Sequence, residues 1–415
     1  MREGTKMKKV RHKIEIVAIV IILFVALIFV NVFSTHQFNS HEVRVKNFFY
    51  EPKDTIEVVN VGASEIYAGF SPEYIWHNYG ITTYNLATAA APMSLAKSEI
   101  EAAIEYQNPK LIVVSLNGIM YNDDRSTDEG YTRMWVDNMP DGILRNETID
   151  DLVTEDVLSY KIKALKYHDN IWNLKESLGM TIKNLKSQTT KEYLTIRGVQ
   201  GNAKRLSSLN TNNLINMVGN DKTLTPYTLA KSQLEDLLEY LKENNIENVI
   251  FVNMPRFYSS DLVTSKYRVN YGIQMVESYG YDVYDFDDYI DEIGLDVTQD
   301  YYNLGHLNID GQAKMSAYMA EYIYPKYGVT ATDLDTENTE LWNQNYDVYV
   351  QLKDWVNDMI ENYNSLNLEY NYKVVDHIID GTIDTYQKTL IKDAQEKIEK
   401  AKNRNSASTS QSSGG

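Results

Sequence analysis

Two side chains in this sequence have the types and settings for nucleophilic chemistry: Ser64 and His306. Ser64 lies in "IEVVNVGASEIYAGFSP" (Ile56 to Pro72), where an apolar, β-branched run breaks on Gly62, Ala63 and Ser64 and then turns into a stretch able to begin a helix. A serine on such a turn projects its hydroxyl from the sheet, and the helix N-terminus behind it offers backbone N–H groups to a developing oxyanion. The same position also suits a serine that only caps the helix, with Glu65 favoured in the first turn by the helix dipole. A nucleophile needs a base, so the histidines decide which reading to pursue.

There are seven: His12, His36, His41, His77, His168, His306 and His377. His12 precedes a long apolar segment, His36 and His41 follow it closely, and His377 lies in a C-terminal helical region, which leaves His77, His168 and His306. His306 sits in "DYYNLGHLNIDGQAKMSAYMAEYIYP" (Asp300 to Pro325), a turn-rich stretch before a helix whose Met315, Met319 and Tyr322 line one stripe. A histidine there can swing over the active end of a sheet and activate a serine hydroxyl. His168, in "LKYHDNIW", reads first as a packed helix residue.

Those two residues are 242 positions apart, so a fold must bring them together. Strand candidates "TIEVVNVG", "ITTYNLA", "LIVVSLNG", "ENVIFVNMP" and "YDVYDF" alternate with amphipathic segments such as Ser94 to Gln107 and "LAKSQLEDLLEYLKENN". The continuous apolar runs are those of strands buried on both faces, and the alternation predicts a right-handed, mostly parallel α/β sheet. Ligands gather outside the carboxyl ends of such strands, which here carry Ser64, Asn85 to Thr88, Asn117, and Asn253 to Arg256. Arg133 and Arg256 could bind an acceptor hydroxyl or phosphate, although each also suits an ordinary ion pair.

The rest of the chain divides by composition. Residues 1–13 hold six Lys or Arg against one Glu, and Ile14 to Phe33 is apolar over a length that crosses hydrocarbon. That pattern predicts an uncleaved single-pass anchor with a cytoplasmic N-terminus and the bulk of the chain outside the cell. A linker at 34–54 precedes an α/β domain at 55–330, interrupted by a helical insertion at about 121–225. A helical extension at 331–404 follows, where Val348, Leu352, Trp355, Val356, Met359, Ile360 and Tyr363 recur at helical spacing, and 405–415 reads as a flexible polar tail. The formal net charge of −18 argues against nucleic acid as a partner. The absence of cysteine excludes disulfides and thiolate metal sites. The acidic run Tyr284 to Asp300 lacks the glycine and terminal glutamate of a calcium hand and reads as a solvated turn and helix, so neither metal nor cofactor is expected.

Taken together, Gly62-Ala63-Ser64 after a strand and Asn303-Leu304-Gly305-His306 followed by "LNIDG" resemble the first and last motif blocks of the SGNH/GDSL hydrolase superfamily, in its membrane-anchored, extracytoplasmic Gram-positive form. The likeness spans about Thr55 to Val329. It implies a three-layer, flavodoxin-like α/β sandwich with Ser64 as nucleophile and His306 as base. The family's orienting aspartate falls on Asn303, with Asp300 the nearest carboxylate that could replace it. The oxyanion glycine falls on Ala87, and Asn117 is the choice for the oxyanion side chain. Glu65 and His168 complete the candidate contacts to substrate, His168 because "YHD" near Trp172 is similar to a feature of the anchored relatives.

The resemblance further implies O-acyl transfer, with acetyl the first choice, onto a cell-surface polysaccharide or teichoic acid, beside a membrane-bound O-acyltransferase that exports the acyl group. Two alternatives stay open. One is deacylation of the same polymers; the other is a non-catalytic scaffold that binds glycan or a partner, which Asn303 in place of aspartate favours.

Overall fold

The computed structural model describes residues 2–412 except 195, 367 and 369–371. Five strands, β1 (Val58–Gly62), β2 (Thr83–Ala87), β3 (Leu111–Ser115), β4 (Val249–Asn253) and β5 (Val283–Asp285), form one parallel sheet in the order β2-β1-β3-β4-β5. This doubly wound order reverses its direction of growth between β1 and β3, which opens a crevice at their carboxyl ends. The four longer strands are buried along almost their whole length because both faces are covered. Val59, Val61, Ile112, Val114 and Phe251 enter one core layer with Ile100, Leu234 and Leu237. Val58, Leu111, Val113, Ile250 and Val252 enter the opposite layer with Ile66, Ile75, Met315 and Met319.

The helix α1 (Arg2–Ser34) contains one stretch, Arg11–Val30, long and apolar enough to cross a membrane. Residues 34–54, expected as a linker, instead carry α2 (Ser40–Tyr50), capped by Asn39, whose side chain accepts from Glu42 N–H. Val45 and Phe48 share its inner face and are fully buried, with Phe48 edge-on to Tyr84 of β2. His36 is buried as well, 2.6 Å from the Glu42 carboxylate. A short amphipathic segment that covers a sheet edge folds with the domain, whatever its place in the sequence.

The insertion is helical from Asp123 to Thr189 and then returns as irregular chain along the outer edge of β2. There the Asn85 N–H donates to Arg197 O at 3.0 Å, so the edge strand is paired rather than open. Gly198, at φ +87°, permits this approach, since a Cβ would lie 2.3 Å from Asn85 O. Arg197 itself is buried, ion-paired with Glu51 (3.0 Å) and Glu73 (3.7 Å), and its guanidinium lies 3.3 Å from the centroid of Trp342.

Trp342 opens the C-terminal extension. The helix Thr336–Tyr363 packs on α4 (Pro72–Tyr79) and buries Tyr349, Leu352, Trp355, Val356, Met359 and Ile360. The last helix, Ile383–Ser412, runs on through most of the segment expected as a flexible tail, since adding a residue to an existing helix costs less than starting one. Residues 413–415 of that tail lie outside the described residues.

The acidic stretch after β5 also differs from its reading as solvated. Asp287 is buried, accepting from Lys266 Nζ (2.8 Å), the Tyr258 hydroxyl (2.7 Å) and Asn253 Nδ2 (2.9 Å). Its other oxygen takes the Arg256 N–H at 2.9 Å and so fixes the loop after β4.

Candidate active site

The turn that carries Ser64 begins from a local feature of sequence. β1 ends at Gly62, with φ +141°, where any Cβ would stand 2.6 Å from the Cβ of Ser115 on β3. Only glycine allows both that torsion and that approach. The single helical turn α3 (Ser64–Tyr67) follows at once, with Ala63 at the N-cap position and no side-chain cap. Ser64 therefore is not the cap.

The turn is tied down from beneath by Glu65. Its buried carboxylate accepts from the Ser115 hydroxyl and from Ala63 N–H, the latter at 3.3 Å, which links the β1 turn to β3. Burial pushes the Glu65 pKa up. Glu65 thus faces the protein interior and not the crevice.

His306 arrives on a hairpin. β6 (Tyr301–Asn303) and β7 (His306–Leu307) are antiparallel, joined through Leu304 and Gly305, and pair Asn303 with His306. His306 Nε2 lies 2.7 Å from Ser64 Oγ, and Nδ1 lies 2.9 Å from Asn303 Oδ1. That same Oδ1 accepts the Gly305 N–H at 2.9 Å. A backbone N–H only donates, so the amide atom it meets must be oxygen, and the imidazole nitrogen sharing that oxygen must carry a proton. The proton of neutral His306 is then on Nδ1, and the Nε2 lone pair faces the serine. Burial first, and then the Arg256 charge, push the His306 pKa down to about 4, so the ring is neutral near pH 7.

Around this pair is a cleft of about 460 Å³ whose lining includes Ser64, Ala90, Asn117, Tyr121, Arg125, Arg256, Asn303 and His306. Asn117 follows β3 on a 3-10 turn; its Oδ1 accepts from Arg256 Nη2 (2.6 Å) and its Nδ2 donates to the Tyr121 hydroxyl (2.7 Å). The second amide hydrogen stays available. Arg256 and Arg125 make no ion pair with a carboxylate within 4.0 Å among the described residues, and Arg125 rests on the rings of Tyr121 and Tyr131.

Not all sequence candidates meet here. The Asp300 carboxylate is committed to Lys314 Nζ and Asp296 N–H, both at 2.7 Å, and the hydrogen-bond partner of the imidazole is Asn303 instead. Ala87 ends β2 with its carbonyl toward Arg44, outside the cleft lining. Ala90, three residues later, lines the cleft in the left-handed region at φ +47°. Neither its N–H nor that of Ser64 has an acceptor among the described residues. The small-residue run "TAAAP" was the only sequence sign of this turn.

His168 is exposed, bonded to Leu165 O at 3.1 Å and set beside Asp169, away from the cleft. His77 stacks on Tyr346 with centroids 3.8 Å apart. Arg133 is buried, paired with Asp137 at 3.0 Å and with Glu129, under the ring of Tyr160. Arg256 is the arginine that reaches the cleft.

No family model matches the chain, and the curated proteins and solved structures with which it was compared give no match either.

Proposed function

We propose that this chain is a membrane-anchored serine O-acyltransferase or esterase of the SGNH kind, acting outside the cytoplasm on acyl esters, acetyl first, of cell-surface glycans. The observation that carries the reading is the 2.7 Å contact between Ser64 Oγ and His306 Nε2, with the imidazole tautomer fixed by Asn303. The basic residues in the first turns of α1 and the apolar length of the shaft that follows them support an anchor with the cytoplasm on the N-terminal side.

In this mechanism the Ser64 hydroxyl gives its proton to His306 Nε2 as Oγ attacks the acyl carbonyl carbon. The carbonyl oxygen takes the negative charge, and the Ser64 N–H, the Ala90 N–H and Asn117 Nδ2 are the donors suited to hold it. Collapse expels the donor's alkoxide or thiolate, protonated by His306, and leaves acyl-Ser64. An acceptor hydroxyl, or water, then gives its proton to Nε2 as its oxygen attacks the acyl carbon, and collapse breaks the bond to Ser64 Oγ, which takes that proton back from His306. The guanidiniums of Arg125 and Arg256, which have no carboxylate within 4.0 Å among the described residues, suit an acceptor that carries phosphate or carboxylate, such as a teichoic acid or an acidic polysaccharide.

Labelling with a fluorophosphonate tests the reaction class. A serine adduct lost in Ser64→Ala supports the reading, whereas no adduct, or one that survives the substitution, leaves a binding scaffold. Incubation with an acyl donor and an excess of oligosaccharide then separates the two reactions, since release of free acid alone marks the esterase.

A further inference from the structure

The helix Leu174–Thr189 in the insertion is built inside out. Its inward face holds Ser177, Met180, Lys183 and Ser187, while Leu174, Leu178, Ile182 and Leu185 form an exposed stripe on the opposite side. A helix that hides serine and lysine and shows leucine is patterned for an apolar surrounding on its outer face. Lys183 is not stranded by this, because it pairs with Asp376 inside.

The stripe begins where α1 ends. Asn170 Nδ2 donates to the carbonyls of Ser34 (3.2 Å) and His36 (2.7 Å), clamping the exit of the apolar helix to the 3-10 turn His168–Asn173. Trp172 on that turn is 85% exposed, and Leu165 just before it is also exposed. Both this turn and the helix Leu174–Thr189 contact α1, whose apolar window is itself unburied. Exposed apolar side chains thus lie on the shaft of α1, at Trp172 and at Leu174 and Leu178, on segments that contact one another. A tryptophan at the end of a spanning helix is the residue that the headgroup layer favours.

We propose that this face of the insertion lies in the interfacial layer of the membrane that α1 enters, with Trp172, Leu174 and Leu178 among the upper acyl chains. The body is then held against the lipid surface at two places, the anchor and the inverted helix, so its orientation is fixed. The proposal rests on α1 crossing that membrane and not on the chemistry at Ser64.

The test uses the whole chain in nanodiscs of phosphatidylcholine and phosphatidylglycerol, with and without acyl chains brominated just below the headgroup. Of the five tryptophans, Trp135, Trp342 and Trp355 are buried in the protein and Trp76 is half-buried, so bromine reports on Trp172. The expected result is bromolipid quenching of tryptophan emission that falls by most of its amplitude in Trp172→Phe. In Leu174→Ser/Leu178→Ser, quenching of Trp172 should drop at least twofold while the protein stays in the disc. Equal quenching in wild type and Trp172→Phe, or none in either with the protein disc-bound, overturns the proposal and leaves the stripe to a protein partner. Failure of the chain to remain with the discs overturns the spanning assignment of α1 beneath it.

Discussion

The amide oxygen of Asn303 lies 2.9 Å from His306 Nδ1 and, through its second bond to Gly305 N–H, is held in the one orientation that leaves Nε2 free to accept from Ser64. In serine proteases, changing aspartate to asparagine costs about 10⁴ in turnover because the imidazole adopts the wrong tautomer. Here the backbone N–H of the hairpin removes that fault. What is missing is only the negative charge that would stabilise the imidazolium.

Asn303→Asp supplies that charge. The substitution keeps the acceptor for both donors, so it should raise kcat for a simple acyl ester by roughly tenfold or more near pH 8, with KM little changed. Burst and steady-state kinetics measure this. A slower enzyme would mean that the neutral amide is required.

In the proposed mechanism the acid limb of kcat/KM reports His306. Its pKa in the folded protein is pushed down to about 4, so activity should persist well below the usual histidine range and fall only as the pH approaches that value. Arg256→Gln removes a nearby positive charge and should move the limb upward. The linkage to stability has the same sign. Between pH 6.5 and about 4 the unfolded chain binds a proton at this residue that the native state does not, so this contribution is present above pH 6.5 and is lost as pH falls through the window.

Asn117 and Arg256 should act as a unit. Asn117→Ala removes a candidate oxyanion donor and should lower kcat by about 10²- to 10³-fold, with little effect on KM for a small ester. Arg256→Met leaves the donor but releases its oxygen end, so a smaller loss is expected. The double variant should fall short of the product of the two single effects.

Beneath the crevice, Glu99 is fully buried, and burial, followed by the nearby Glu65 carboxyl, pushes its pKa well above the normal carboxylate range. The folded protein thus holds this proton more tightly than the unfolded chain does. Its contribution is therefore complete below pH 4.5 and declines as pH rises above that, because the unfolded chain ionises first. Glu99→Gln keeps the shape and removes the titration. Chemical denaturation of the variant should show a flatter stability profile from pH 5 to 9 and greater stability than wild type at the alkaline end.

Much of the scaffold is readable in advance because its signals are local. The four longer strands announce themselves as largely apolar runs bounded by turns, the Ser64 turn lies at a strand end where the alternation places it, and His306 lies before the last helix of the α/β domain, although on a hairpin and not a plain loop. What escapes is set by partners far along the chain. Asp287 reads as solvent-exposed until Lys266, Tyr258 and Asn253 converge on it from two other segments. Ala90 is one alanine among several, and only the fold turns it into the cleft. Asp300 is the nearest extra carboxylate in sequence, yet Lys314, one helix later, claims it.

The position of Arg197 sets the order in which the molecule can be completed. Its charge is matched by Glu51 and Glu73, from the first elements to emerge after α1, but its planar face is closed by Trp342. A chain made from the N-terminus onward has all five strands of its parallel sheet synthesised before Trp342 appears. Without Trp342 the face of that guanidinium has no ring over it at the sheet's edge. The enclosure of Arg197 is therefore complete only once the last fifth of the chain has been made, which ties the edge of the sheet to the C-terminal helices.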